Sequence, residues 1–214
     1  MIPIADESPK GYIPFINYIL IAANLLLYFF WQQPSDSFFN TFGLVPVRLF
    51  NQPQNPLGYV SFFTSMFMHG GLMHLLGNML YLWIFGDNIE YLIGHKRYLI
   101  FYFTAGIGAG LLQVFIEPGS AIPMVGASGA ISGILGAYLL KFPKNKISIL
   151  FFFIIFIKII KIPALIVLSL WFIFKVFNGY SMADGTEGGV AWFAHIGGFI
   201  AGFVLIKLFE KFPK

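Results

Sequence analysis

The sequence predicts an all-α membrane protein, a single bundle of six transmembrane helices. Three observations carry that prediction. Of its 214 residues 58% are hydrophobic and 10% charged, against about 25% charged in an average soluble domain. Six apolar runs approach the roughly 20 residues that a bilayer crossing needs. The basic residues collect in alternate connections, as cytoplasmic loops do.

The first run, about 13–31, ends in Gln-Gln-Pro rather than a small-residue cleavage site, so it reads as a span and not a removable signal. The second is about 69–89, the third about 97–116, the fourth about 127–141, the fifth about 162–177 and the sixth about 190–209. Residues 1–12 read as a short cytoplasmic segment, 13–209 as one membrane domain and 210–214 as a cytoplasmic tail. The run 147–161 is as apolar as a span. It is short, however, carries Lys158 and Lys161, and precedes Pro163, so it reads as an interfacial, partly extended connector.

Charge sets the orientation. Six spans put both termini on one side, with the 2–3 and 4–5 connections. That side holds Lys10, Lys96, Arg97, Lys141, Lys144, Lys146, Lys158, Lys161, Lys207, Lys211 and Lys214. The opposite side holds Arg48, Asp36, Glu117, Asp184 and Glu187, and Lys175 near the outer end of span five is the exception. Both termini are therefore expected in the cytoplasm. The net charge of +4 is that of inner loops and implies no nucleic-acid partner. With no cysteine, disulfides, thiolate catalysis and Cys-ligated metals are excluded. No oligomeric state follows from these residues.

Polar residues inside spans are costly and mark function by default. Span two holds His74 and Asn78, span four Ser128 and Ser132, span six His195. All three spans run from the outer to the inner side and carry these groups in their first part, so the groups share a depth near the outer face. Span four has about 15 residues and rises roughly 22 Å, against a core of about 30 Å. Ending near the inner lysines, it must begin below the outer surface, around Gly126–Ser128. Irregular backbone at that depth has to line a wet cavity or be buried in protein. A helix start there offers free N–H groups and partial positive charge, which suit an oxyanion. Ser128 as nucleophile, His195 as base, and His74 and Asn78 as oxyanion donors form a chemically consistent set.

Blander readings fit the same residues. Gly129-x-x-x-Gly133 and Gly198-x-x-x-Gly202 are small-xxx-small packing faces, and packing of span four on span six would itself bring Ser128 to His195. His74 and Asn78 could be hydrogen-bond glue between helices. His69 reads as an interfacial residue at a helix start, His95 as a solvated loop residue, and Glu90 as a tie between inner loops. His69, His74 and His195 could in principle hold a metal. With no His-Glu-x-x-His pattern and few outer carboxylates, neither metal nor cofactor is expected.

These residues resemble a known family. "GASGAISG", 126–133, is similar to the Gly-x-Ser-Gly motif of the rhomboid intramembrane proteases. "AHIGGFIAG" resembles their histidine helix, and "HGGLMHLLGNMLYLWIFG" their second span; "GDNIEYLIGHKRYLIFY" resembles the connection that follows it. The similarity runs from about Thr41 to Gly202. It implies a six-helix rhomboid-like bundle with a Ser128–His195 dyad and His74 and Asn78 in the oxyanion hole. It implies hydrolysis of peptide bonds in or near transmembrane segments of protein substrates within the lipid bilayer of the plasma membrane, from a site open to the outer face. It also implies that the first loop, around Pro46–Arg48, lies partly in the membrane and that span five moves for substrate entry. Some relatives carry at the Ser132 position a tyrosine whose ring stacks on the catalytic imidazole; serine leaves that contact vacant here. A non-proteolytic relative that binds transmembrane clients is the competing expectation. A transporter is disfavoured by the lack of an internal repeat.

Overall fold

The structure is a computed structural model and describes residues 2–153, 156–181 and 191–210. Each expected span is a helix: α1 (Phe15–Phe30), α5 (Leu72–Ile93), α6 (His95–Ile116), α7 (Ser128–Lys141), α8 (Ala164–Ser181) and α9 (Trp192–Phe209). Between α1 and α5 the chain forms α2 (Asp36–Phe42), α3 (Pro46–Asn51), α4 (Pro56–Thr64) and a 3₁₀ turn (Ser65–Phe67). The hydropathy pattern had not separated these from loop. Their starts are local: Ser35 caps α2, Asn55 caps α4, and Pro46 and Pro56 open α3 and α4.

By length and apolarity alone, α6 and α9 suffice to cross a bilayer among the described residues; α1 and Ala164–Gly179 are apolar but shorter. α7 is short, at 14 residues, and α5 carries His74, Asn78, Asp87 and Glu90 along its 22. Polarity on α5 and brevity on α7 belong to two of the helices that line the cavity described below.

α7 is the central element, with every residue from Gly129 to Tyr138 buried. Its packing on α9 is backbone to backbone. A Cβ on Gly198 would lie 2.0 Å from the Gly129 carbonyl oxygen, one on Gly202 1.9 Å from that of Gly133, and one on Gly136 2.1 Å from that of Phe199. The small faces read from the sequence do meet. α6 closes the third side of this core, with Ala105 and Ala109 against Gly133 and Gly129.

The 147–161 run is extended throughout its described residues. β2 (Lys146–Phe153) and β3 (Phe156–Pro163) form an antiparallel hairpin, and β1 (Ile2–Ala5) adds to β2 with Ile2 opposite Leu150. The first residues are therefore part of the fold. β-branched and aromatic side chains favour this pleated surface. Pro3, Ile147 and Ile149 are buried beneath the sheet and Ile160 and Ile162 pack on the core, while Ile157, Ile159 and Lys161 face outward.

Buried polar groups tie α1 to α5 and α6. Glu90, fully buried, accepts the N–H groups of Ile16 (2.9 Å) and Asn17 (2.8 Å) at the start of α1. A carboxylate at a helix N-terminus meets both orphan donors and the helix dipole. Glu90 thus ties the start of α1 to the end of α5, the tying role read for it from the sequence. His95 is exposed, as read from the sequence, but helical rather than in a loop: it opens α6, is paired with Glu90 and stacks on Tyr12.

Candidate active site

The approach to α7 is held by backbone. Leu44 and Met124 exchange N–H···O bonds of 3.0 and 2.8 Å, and the Gly126 N–H donates to the Ser65 carbonyl at 2.9 Å. Gly126 has φ +119°, a conformation an L side chain rarely adopts. From there α7 begins at Ser128, with Ala127 at the cap position and no side chain on its first-turn N–H groups. The Ser132 hydroxyl donates to the Ser128 carbonyl at 2.6 Å.

α5 passes directly in front of this start. A Cβ on Gly126 would stand 2.7 Å from His74 Nε2 and 3.4 Å from Asn78 Nδ2. Only glycine fits there. The Gly70 N–H donates to His74 Nδ1 at 3.4 Å, so Nδ1 is the acceptor and Nε2, facing α7, carries the proton. Asn78 Nδ2 is buried without a partner among the described residues. Two N–H donors, four residues apart on one helix face, are thus aimed at the start of α7.

His195 is in the first turn of α9 and buried, its Nδ1 without a partner among the described residues. The turn is anchored by Gln113 of α6, whose Oε1 accepts the Ala194 N–H at 3.0 Å while its Nε2 donates to Glu117 at 2.8 Å. Close packing of α7 and α9 brings Gly129 to 4.0 Å from the Ala194 carbonyl oxygen, measured from an added Cβ. Ser132 offers the imidazole no ring, and two indoles flank it instead: Trp171, T-shaped at 6.3 Å, and Trp192, tilted at 6.2 Å between centroids.

Ser128, His195, His74 and Asn78 all line one cavity of about 440 Å³, with Met73, Tyr81, Ser132, Trp171 and Lys175 on the same walls. Ser128 and His195 share it without a direct hydrogen bond. His69 is not on its wall. It is fully buried before α5, edge-on to His74 at 5.2 Å, and its backbone is held by Gln32 through bonds of 2.8 and 2.7 Å. Its reading as an interfacial residue is thereby corrected. Asp184 and Glu187 lie outside the described residues.

Sequence reasoning missed Gln113, Trp171, Trp192 and the backbone ties through Ser65. Gln113 was visible as an amide in an otherwise apolar run, and Lys175 as a charge on the wrong side. The tryptophans carried no signal, because aromatic residues are common throughout the chain.

Rhomboid protease GluP of Bacillus subtilis (strain 168) is 34% identical over 196 residues, covering 89% of this chain and 34% of its own. The human mitochondrial presenilin-associated rhomboid-like protein is 30% identical over 135 residues, 62% of this chain and 34% of its own. The chloroplastic Rhomboid-like protein 11 of Arabidopsis thaliana is 30% identical over 196 residues, 91% of this chain and 65% of its own. The chain thus spans about a third of the length of the first two. The Rhomboid domain model matches residues 56–212, which include all four cavity side chains, and the chain belongs to the rhomboid family.

Proposed function

We propose that this chain is an intramembrane serine endopeptidase that hydrolyses peptide bonds in or near transmembrane segments of other membrane proteins. The observation that carries the reading is the convergence of Ser128, His195, His74 and Asn78, from three helices, on one cavity at the start of a short helix. The name of the Bacillus subtilis relative, a rhomboid protease, supports the same activity.

In this reading α1, α5, α6, α7, α8 and α9 are six spans. Their outward side chains, Phe30, Leu76, Trp83, Phe115, Leu170 and Val204 among them, are exposed and apolar, as a lipid-facing surface requires. Both termini are cytoplasmic in the plasma membrane and the cavity opens toward the outer face. Residues 1–12 and 210–214 belong to the cytoplasmic side and 13–209 to the membrane domain. The outer face of the β-sheet rests at the inner membrane surface, Ile157 and Ile159 in the acyl boundary and Lys161 at the headgroups.

Ser128 Oγ attacks the scissile carbonyl as His195 takes its proton. The oxyanion is met by His74 Nε2–H, Asn78 Nδ2–H and the Ser128 N–H, each donor worth about 10²–10³ in kcat. His195 returns the proton to the leaving amine, and a water then hydrolyses the acyl-serine with His195 again as base. No metal or cofactor takes part.

The test is labelling with a fluorophosphonate and cleavage of a single-span substrate, each in detergent. Wild-type protein is expected to label and cleave; Ser128→Ala should do neither, and His195→Ala should lose cleavage with an unchanged melting temperature. Undiminished cleavage by Ser128→Ala overturns the mechanism. Substrate binding without label or cleavage by wild type would make the chain a binder of transmembrane clients instead.

A further inference from the structure

Lys175 breaks the charge asymmetry of the chain, and it does so at the cavity. It is one turn after Trp171 on α8 and lines the same walls as Ser128 and His195. Its ammonium lies 4.7 Å from the ring centre of Trp192 and 5.4 Å from that of Trp171. The same two indoles flank His195. The cation is therefore held over the aromatic wall and no more than about 11 Å from the imidazole centre.

Nothing in the described fold neutralises it. Lys175 takes part in neither the His95–Glu90 nor the Lys141–Glu210 ion pair, and none of those four residues is on the cavity walls. A cation in an apolar pocket is costly without an anion, and indole faces return only part of that cost. A substrate crossing the cavity in extended form advances about 3.3 Å per residue, so Lys175 reaches side chains within about four residues of the bond at Ser128. Among the described residues, the other ionisable side chains on the walls are His74, His195 and Tyr81, and none of these is a carboxylate that could compete.

Resting on the protease reading, we propose that Lys175 is a specificity determinant that selects substrates with an acidic side chain within about four residues of the scissile bond, pairing with its carboxylate inside the cavity. The indoles fix the ammonium, so the charge-assisted bond forms with little ordering cost.

The test uses the full chain in detergent and a single-span model substrate in which each position from four before to four after the cut carries Asp or, in parallel, Asn. Wild type is expected to favour Asp over Asn about tenfold or more in kcat/KM at one or two positions. Lys175→Met should bring that ratio near one, Lys175→Arg should keep it, and Lys175→Glu should transfer the preference to Lys at the same position. A structural role for Lys175 would change the rate on all substrates and leave the ratio alone. An Asp/Asn ratio near one in wild type, or an unchanged ratio in Lys175→Met, overturns the proposal. So does a preference that appears only after Asp184→Asn or Glu187→Gln, because Lys175 would then already be paired within the chain. If no substrate is cut at all, the protease reading fails. The same Asp/Asn ratios, measured as Kd for the uncut substrates, then decide the role of Lys175.

Discussion

Asp6 shows how a single side chain couples the first strand to the bundle. Its carboxylate accepts from Tyr138 Oη of α7 at 2.5 Å and from Asn88 Nδ2 of α5 at 2.7 Å. Burial, with a smaller push from the charge of Asp87, raises its pKa from 3.8 to about 6. The folded protein therefore holds this proton more tightly than the unfolded chain. The associated stability is complete below about 3.8 and is lost as pH rises through about 6. Two pKa units correspond to at most about 3 kcal/mol, and the partial exposure of Asp6 reduces that to about 1 kcal/mol. Amide-exchange protection of β1, corrected for intrinsic rates, is expected to be greater at pH 5 than at pH 7. Asp6→Asn should flatten the difference. Equal protection at both pH values would show that burial does not set the affinity of Asp6 for its proton. Nothing in the sequence marked Asp6, because its partners are 82 and 132 residues away and no local pattern encodes such a pairing.

Among the elements, the crossing of α7 and α9 carries most of the candidate site. It sets Ser128 beside the first turn of α9, and it does so with backbone on backbone, so it has no side chain to yield. Gly202→Val places a Cβ 1.9 Å from the Gly133 carbonyl oxygen, which forces the helices apart. Overpacking of this kind costs about 1–3 kcal/mol or more. The expected outcome is a lower melting temperature together with loss of fluorophosphonate labelling. Gly77→Ala, on α5 where an added Cβ meets nothing within 4 Å, should leave the melting temperature within a degree or two. A Gly202→Val protein that labels at the wild-type rate would mean that Ser128 is not held by this crossing. This element was legible in advance, because glycine at a spacing of four on two apolar helices states both the face and the closeness. The helices α2–α4 were not. They are short and set by caps and prolines, and their apolar faces lack a period long enough to distinguish them from loop. The hairpin of β2 and β3 lay between: its composition marked it as extended, but its pairing with β1 depends on a register, Ile2 against Leu150, that neither segment specifies alone.

On the scale of the whole molecule, the contacts sort the chain into two ends. One gathers β1, the hairpin, the α5–α6 junction at Glu90 and His95, and the Lys141–Glu210 pair. The other gathers α2, α3, the Leu44–Met124 bridge and the approach to Ser128. The lysine asymmetry read from the sequence coincides with this division, since Lys141, Lys144, Lys146, Lys158 and Lys161 all fall at the first end. That agreement makes the proposed topology testable without any activity. The chain has no cysteine, so single cysteines report alone. Ser8→Cys and Lys144→Cys are expected to react with a membrane-impermeant maleimide in inverted vesicles and to resist it in right-side-out ones. Ser37→Cys should show the reverse. Ser8 and Lys144 must behave alike whatever the number of spans, because β1 is hydrogen-bonded to β2; a difference between them would contradict the sheet. Ser37 reacting on the same side as Ser8 would instead remove α1 as a crossing. With it would go the six-span orientation that opens the Ser128 cavity to the outer face.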